Sequence, residues 1–181
     1  MFAKLFKKNP EREAAEKLYD AVVGQARQPV FYQDWDVPDT LDGRFDLIIL
    51  HVFLVMRCLK DQGETAASLS QQLQEIFITD MDRSLREIGV GDMSIGKHVK
   101  KMASALFGRL EVYDRILDTG GSQNLRAALH RNIYREQDPG TESLDAINDY
   151  VLSQARYLES QPLSGFLSGQ VNFRMMDDEK E

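Results

Sequence analysis

The sequence is poor in the residues that build catalytic and metal sites. It contains one cysteine and three histidines in 181 residues, and the histidines are scattered along the chain. They leave no spacing that is typical of metal ligands. Cys58 excludes an internal disulfide, and its place in an apolar stretch predicts a small buried side chain in a reducing compartment. No nucleophile motif of the G-x-S-x-G kind occurs either. We therefore expect a protein that is not an enzyme and that has no cofactor and no metal.

The chain also lacks a long hydrophobic run. The longest one, from Leu47 to Met56, is interrupted by His51 and is far shorter than the ~20 residues that span a bilayer. The N-terminus lacks the apolar stretch of a secretory signal, and Glu11 and Glu13 come too early for a mitochondrial transit segment. We expect a cytoplasmic protein.

Apolar residues recur every three or four positions along most of the chain, and nothing indicates a strand. This pattern predicts an all-α fold: a single-domain bundle of about six or seven helices around a central apolar helix. The central helix is predicted from about Arg44 to Gln62, because this segment is apolar on most sides. The other helices are predicted at about 10–26, 65–88 with a possible break at Thr79, 94–117, 122–134 and 143–158.

Residues 28–43 form the longest irregular stretch of the predicted fold. They contain Phe31, Tyr32 and Trp35, and aromatic side chains of this size tend to be buried. We expect the segment to fold back over the core. The alternative is an exposed loop that docks a partner.

Three segments follow from composition. Residues 1–14 form a basic amphipathic N-terminal arm, 15–170 the helical domain, and 171–181 an acidic, disordered tail. The arm predicts weak contact with an anionic membrane surface, which would make the protein peripheral on the inner face of the cytoplasmic membrane. A frayed terminus is the alternative. The residues expected at the membrane are Phe2, Lys4, Leu5, Phe6, Lys7 and Lys8.

One stretch differs from a phosphate-binding loop at a decisive position. Gly91-Asp-Met-Ser-Ile-Gly-Lys-His98 has the order G-x-x-x-x-G-K, but His98 stands where that loop needs the Ser or Thr hydroxyl that binds magnesium. The stretch also joins two predicted helices, whereas a phosphate-binding loop follows a buried strand. Both features argue against nucleotide hydrolysis.

Cations crowd the predicted start of the helix that follows. Lys97, Lys100 and Lys101 lie there, where the helix dipole disfavours positive charge. A helix start with Gly96 and lysines is a natural anion site, so the cluster predicts an anionic partner such as the phosphates of RNA or of lipid. The alternative is a helix that begins near Asp92, with the lysines beyond its first turn.

The net charge of −7 is unevenly spread along the chain. Residues 94–135 contain eight Lys or Arg against three acids, a balance of +5, which leaves −12 on the rest. This asymmetry suggests one face that contacts an anionic partner, although a solvated basic face would give the same pattern. We expect no DNA partner.

Three residues have unusual positions on their predicted helices. Asn132 and Tyr113 both fall on inward stripes, where an unpaired amide would cost about 1–3 kcal/mol. We expect a hydrogen-bond network that joins two helices. Gly108 lies inside a helix and suggests the close approach of another backbone, or else a kink.

Several motifs together resemble the ubiquinol–cytochrome c chaperone family over roughly residues 15–155. They are Phe31-Tyr-Gln-Asp-Trp-Asp-Val-Pro38, Asp42-Gly-Arg-Phe-Asp-Leu-Ile-Ile-Leu-His51, Asp80-Met-Asp-Arg-Ser-Leu-Arg-Glu-Ile-Gly-Val-Gly-Asp92, Gly96-Lys97, Gly108-Arg109, Tyr113-Asp114 and Leu129-His-Arg-Asn132. The resemblance implies a bacterial form of a non-enzymatic assembly chaperone for respiratory complex III. Its client would be newly made cytochrome b, received near the ribosomal tunnel exit together with a small partner subunit.

The charged and polar residues within these motifs are our candidate partner contacts. Two alternatives stay open: an enzyme or sensor that binds a small anionic ligand at the Gly96-Lys97 helix start, and a helical adaptor unrelated to respiration. The candidate contacts are Asp80, Asp82, Arg86, Lys97, Lys101, Arg109, Arg131 and Asn132.

Overall fold

A computed structural model of the chain describes residues 9–135 and 137–174, and within these ranges it contains helices and no strand. The predicted all-α, single-domain fold is confirmed. The predictions for residues 1–8 and for the acidic residues 177–181 lie outside the described residues. The helices are α1 (Pro10–Ala26), α2 (Pro29–Gln33), α3 (Leu41–Leu59), α4 (Glu64–Glu87), α5 (Asp92–Thr119), α6 (Ser122–Leu129), a π-helical turn (His130–Tyr134), α7 (Gly140–Glu159) and α8 (Leu163–Leu167).

α1 begins where the sequence predicts it. The Asn9 side chain accepts a hydrogen bond from the Glu11 amide at 3.1 Å, and Pro10 takes the first helical position. Residues 10–14, which we expected in the N-terminal arm, therefore belong to α1, and Ala14 is buried.

α1 packs along α4, and the two helices run in the same direction. Arg12 donates to the Gln72 side chain at 3.4 Å, and further along both helices Tyr19 donates to Asp80 at 2.8 Å. These bonds fix the surface of α4 that carries Asp80.

α3 is the central helix that the apolar pattern predicts. It begins at Leu41, earlier than expected, because the Thr40 hydroxyl caps it by accepting from the Gly43 amide at 3.1 Å. It ends at Leu59, and it contacts α1, α4, α5 and α7. Its long buried stretch excludes water from the middle of the bundle.

The aromatic segment before α3 folds back over the core, as predicted. Phe31 is fully buried, and its ring lies edge-on to that of Trp35 at 5.2 Å. A Cβ at Gly43 would lie 2.0 Å from the Pro38 carbonyl oxygen, so only glycine lets the segment approach α3 this closely. The prediction of a wholly irregular stretch is wrong, because Pro29 opens the short helix α2.

α4 is continuous. The Thr79 hydroxyl donates to the Glu75 carbonyl oxygen at 2.7 Å, as a threonine inside a helix does, and it caps no break. The two helices α4 and α5 thus form one long hairpin around the turn at residues 88–91.

α5 starts at Asp92, so the prediction of a cationic helix start near Ser94 is wrong. Asp92 carries the negative charge that the first turn favours, and its carboxylate pairs with Arg86 at 2.7 Å. Lys97 consequently lies in the second turn, beyond the positive end of the helix. The expected anion site at the Gly96-Lys97 helix start does not exist in this form.

The predicted fifth helix changes type within its length. α6 ends at Leu129, and the π-helical turn carries the chain to Tyr134. Arg135 then adopts a φ of 56°, a left-handed conformation that side chains of this kind rarely take. A π-helical turn contains one more residue than an α-helical turn. A pattern based on 3.6 residues per turn therefore cannot predict where the helix changes type.

The remaining helices complete the bundle. α7 begins at Gly140, earlier than the predicted Ser143, and Phe166 of α8 is buried against the core. Residues 171–174, which we expected in the acidic tail, also pack there through Val171 and Phe173.

Candidate functional site

His51 is held in the core of the bundle, and Cys58 on the same helix is half-buried. His51 is fully buried; its Nδ1 donates to the Leu47 carbonyl oxygen at 2.7 Å, and its Nε2 accepts from the Tyr150 hydroxyl at 2.7 Å. Gln25 donates to the same hydroxyl at 2.9 Å. Burial lowers the pKa of His51 to about 4 and raises the pKa of Cys58 to about 12. His51 is a hydrogen-bonded core histidine.

A buried carboxylate joins α3 to α5 and to the end of the π-helical turn. Asp46 on α3 is wholly buried; it accepts from Arg109 at 2.5 Å and from Arg135 Nε at 2.9 Å. Burial raises the pKa of Asp46, and the two guanidinium groups oppose this shift. Arg109 also donates to the Asn132 carbonyl oxygen at 3.4 Å and lies over the Phe45 ring. The candidate contact Arg109 is thus held inside the fold.

The predicted network between Asn132 and Tyr113 is present. The Asn132 amide donates to the Tyr113 hydroxyl at 3.1 Å, and the tyrosine is almost fully buried. Burial raises the pKa of Tyr113. The bond joins the π-helical turn to α5, which explains a polar residue on an inward stripe.

The candidate contacts on α4 also have partners within the chain. Asp80 accepts from Tyr19 and pairs with Arg83, and its side chain is only 16% exposed. Asp82 and Arg86 pair one turn apart at 2.7 Å. Exposed ion pairs of this kind contribute little to stability and can rearrange around a bound partner.

Lys97, Lys101 and Arg131 differ from the other candidates. All three are exposed, and no carboxylate in the described part of the chain lies within ion-pair distance of them. A Cβ at Gly108, on the same helix as the two lysines, would meet no atom within 4 Å. The expected close approach of a second backbone at Gly108 is therefore wrong, and this side of α5 is open surface.

An apolar depression lies where the start of α3, the end of α4 and the middle of α5 meet. We call it the α3–α4 hollow; it measures about 210 Å³, and Asp80, Arg27, Arg44 and Glu87 add charges to its lining. Two of its apolar residues are unusually exposed for their size, Leu41 by 46% and Ile88 by 58%. Its main apolar residues are Tyr32, Leu41, Ile48, Ile88 and Met102.

A second depression lies between the end of α3, the first half of α4 and the second half of α5. This α3–α5 groove measures about 410 Å³. Arg57 on its edge is held by Asp114, Asp118 and Glu159 at 2.6–2.9 Å, an arrangement that ties α3, α5 and α7 together and keeps the arginine pKa high. The groove's apolar residues are Phe53, Met56, Leu59, Ala67 and Leu110.

Sequence reasoning missed the α3–α4 hollow. Leu41 and Ile88 lie at helix ends, and the chain separates them by two helices. An apolar residue next to a helix cap is the only local sign of such a surface. Arg135 was missed as well, because its role depends on the left-handed backbone after the π-helical turn.

In the part of the chain that the structure describes, no helix is long and apolar enough to cross a membrane. Within the same residues, no group of three or more His, Cys, Asp or Glu side chains could hold a metal ion.

These features define an all-helical, single-domain protein whose buried polar groups tie helices together and whose open features are an apolar hollow and a cationic helix face. The sequence model of the ubiquinol-cytochrome C chaperone family matches residues 33–173. The chain belongs to this family, and the resemblance found in its motifs is confirmed.

The relatives agree with this assignment. The chain is 24% identical over 164 residues to ubiquinol-cytochrome c reductase complex assembly factor 1 of Mus musculus, covering 89% of this chain and 55% of the mouse protein. The corresponding protein of Xenopus laevis is 23% identical over 89% of this chain and 80% of its own length. The chain thus spans about half the length of the mouse relative.

A solved structure shares the fold. The Cbp3 homolog from Brucella abortus superimposes with a TM-score of 0.83 at 32% sequence identity, covering 93% of this chain and 92% of that one. The helical bundle described above is therefore that of the Cbp3 homolog.

Proposed function

We propose that this chain binds newly made cytochrome b and promotes assembly of ubiquinol-cytochrome c reductase without catalysing a reaction. Family membership and the names of the relatives support the reductase as the target. The resemblance in the motifs supports cytochrome b as the client. The observation that carries client binding is the exposure of Leu41 and Ile88 around one apolar hollow.

An apolar client suits this hollow for a physical reason. Exposed apolar side chains that cluster beside a cavity with charges on its rim are typical of interaction sites rather than of ordinary surface. Covering Leu41, Ile88 and Met102 would remove them from water, at about 25 cal/mol per Å² of apolar surface buried. The charges of Asp80 and Arg44 on the rim could pair with polar groups that flank an apolar client segment.

The predicted contacts divide into three groups on this proposal. Asp80 lines the hollow, and the Asp82–Arg86 pair lies further along the same helix. Arg109 and Asn132 act as positioning residues beneath the surface, because their polar groups are bonded within the fold. Lys97, Lys101 and Arg131 present free cations to an anionic partner.

Action by binding rather than catalysis is supported by where the reactive groups lie. His51 is sealed in the core as a neutral ring, and burial opposes ionisation of the Cys58 thiol. His51 cannot reach a substrate without opening the bundle. The corrected start of α5 also removes the main reason for an enzyme or sensor at Gly96-Lys97.

We further propose a cytoplasmic location at the inner face of the cytoplasmic membrane. A membrane-inserted client supports this location, since the chaperone must meet it at the membrane surface. A small partner subunit and the ribosome near its tunnel exit are the other partners that the resemblance implies.

The test is deletion of the gene followed by complementation. We expect deletion to lower the amount of assembled ubiquinol-cytochrome c reductase, measured by native gel and haem absorbance. The wild-type gene should restore it, whereas Leu41→Asp with Ile88→Lys should not. Asp at the first position of α3 favours that helix, so loss of the fold is not expected.

A matched control introduces the same two charges elsewhere. Ala67→Asp with Gln71→Lys changes two exposed positions on the α3–α5 groove and should restore assembly. Normal reductase levels in the deletion strain would overturn the function. Full rescue by the Leu41/Ile88 variant, at equal protein level, would overturn the site and leave the function standing.

A further inference from the structure

One side of α5 carries cations and exposed apolar residues on a single stripe. Met93, Lys97, Lys100, Lys101 and Phe107 follow each other at helical spacing, and we call them the α5 outer face. They point away from the buried side of the same helix, where Ile95, Leu106 and Tyr113 enter the core.

This face is free of negative charge in an acidic protein. Residues 93–110 contain no Asp or Glu, although the chain has a net charge of −7. The flanking acids are Asp92, which pairs with Arg86, and Glu111, one turn beyond Phe107. The three lysines therefore form a run of positive charge, and no carboxylate in the described part of the chain pairs with them.

The apolar residues at the two ends of the face are unusually open. Met93 is fully exposed and Phe107 is 51% exposed, and together with Leu41 and Ile88 they are the exposed large hydrophobic residues of the described chain. From Met93 to Phe107 the helix rises about 21 Å, at 1.5 Å per residue. A Cβ added at Gly96 or Gly108 would meet no atom within 4 Å. The face therefore has no pocket at these positions into which a partner's side chain would fit.

We infer that the α5 outer face binds the surface of an anionic lipid bilayer. Lysines on such a face lie at the level of lipid phosphates, and apolar side chains between and beside them enter the headgroup boundary. An acidic bilayer repels the rest of this chain, so the protein orients with α5 against the membrane. The inference does not depend on the identity of the client, because it concerns a surface separate from Leu41 and Ile88.

The test uses the purified full chain and lipid vesicles without a client. The vesicles consist of phosphatidylcholine alone or of phosphatidylcholine with phosphatidylglycerol, at physiological salt, and binding is measured by co-flotation. We expect binding to the anionic vesicles only. Each lysine near such a surface strengthens binding about fivefold, so Lys97→Gln, Lys100→Gln and Lys101→Gln together should weaken it about a hundredfold.

A matched control removes the same number of charges from other faces. Lys17→Gln, Lys60→Gln and Arg156→Gln should weaken binding far less than the α5 variant. Absence of binding to anionic vesicles, or equal loss in both variants, would overturn the inference. An α5 variant that binds vesicles normally but fails to bind the client would also overturn it, by showing that the face contacts protein.

A second measurement reports the position of the face directly. In Phe107→Trp, lipids brominated near the headgroup should quench the new tryptophan, whereas Trp35, which is buried, should stay unquenched in the same molecule. Equal fluorescence with and without bromine would contradict insertion at this face.

Discussion

Arg135 Nε donates to the buried carboxylate of Asp46 at 2.9 Å, although 89 positions separate the two residues. The bond holds the residue after the π-helical turn against the central helix. Arg109 reaches the same carboxylate from α5, so one side chain connects three parts of the bundle. The surface that we propose for the client includes the start of α3, and the surface that we propose for the membrane lies on α5.

The first prediction removes this connection. Asp46→Ala leaves the half-buried guanidinium group of Arg109 without its partner, which should lower the free energy of unfolding by about 3–5 kcal/mol, whereas Arg135 keeps its pair with Asp42. Urea denaturation followed by circular dichroism measures the change. Asp39→Ala removes an exposed pair with Arg44 and should lower the free energy of unfolding far less. Equal losses in the two variants would show that the buried Asp46 cluster contributes no more to the free energy of unfolding than an exposed ion pair.

The second prediction concerns pH. The pKa of His51 is about 4 in the folded chain against an ordinary value of 6.5, so between these values the unfolded chain binds more protons. His51 should therefore stabilise the fold fully above pH 6.5 and progressively less as the pH falls towards 4. This loss amounts to about 3 kcal/mol, at 1.36 kcal/mol per pKa unit.

The measurement compares unfolding free energies at pH 7.5 and pH 4 in wild type and in His51→Gln. The variant should lose about 3 kcal/mol less than the wild type over this range. His98→Gln, at an exposed position on α5, should lose as much as the wild type. The same pH dependence in wild type and His51→Gln would contradict the proposed burial.

The third prediction tests the bond between Asn132 and Tyr113. Asn132→Ala leaves a buried tyrosine hydroxyl without its donor and should cost about 1–3 kcal/mol. Once Tyr113→Phe has removed that hydroxyl, Asn132→Ala should cost less. A double-mutant cycle by chemical denaturation gives the coupling, and additive losses would show that the two side chains do not interact.

The fourth prediction contrasts two glycines. Gly108→Ala adds a methyl group to an open helix surface and should stabilise the chain by about 0.5–1 kcal/mol. Gly169 has a φ of 82°, and a Cβ there would lie 2.9 Å from the Ala14 backbone, so Gly169→Ala should destabilise the contact of α8 with α1. Thermal unfolding should move in opposite directions for the two variants, and a shift in the same direction would contradict the packing described.

The spacing of apolar residues and the residues at helix ends are sufficient to predict most of the helices. The position of α1 and the apolar α3 follow from local chemistry, and the structure confirms them. The glycine-lysine pattern predicts the start of α5 near Ser94, whereas the favourable first-turn acid is Asp92, where the helix begins. Of the two interpretations of the lysines, the earlier helix start is the correct one.

The candidate site depends on contacts that no short pattern contains. Leu41 and Ile88 come to line the same hollow only when α3 and α4 pack. Arg109 turns inward because it pairs with Asp46 on another helix. The charge asymmetry, in contrast, was visible in the sequence, and the structure gathers its lysines on one helix face.

Site-specific photo-crosslinking in growing cells tests the central claim most directly. A photoreactive amino acid at position 88, in the α3–α4 hollow, is compared with one at position 123, an exposed residue of α6. Both variants must first be shown to support reductase assembly. The account predicts that mass spectrometry identifies cytochrome b cross-linked from position 88 and not from position 123. Absence of cytochrome b at position 88, or equal cross-linking from both positions, would contradict it.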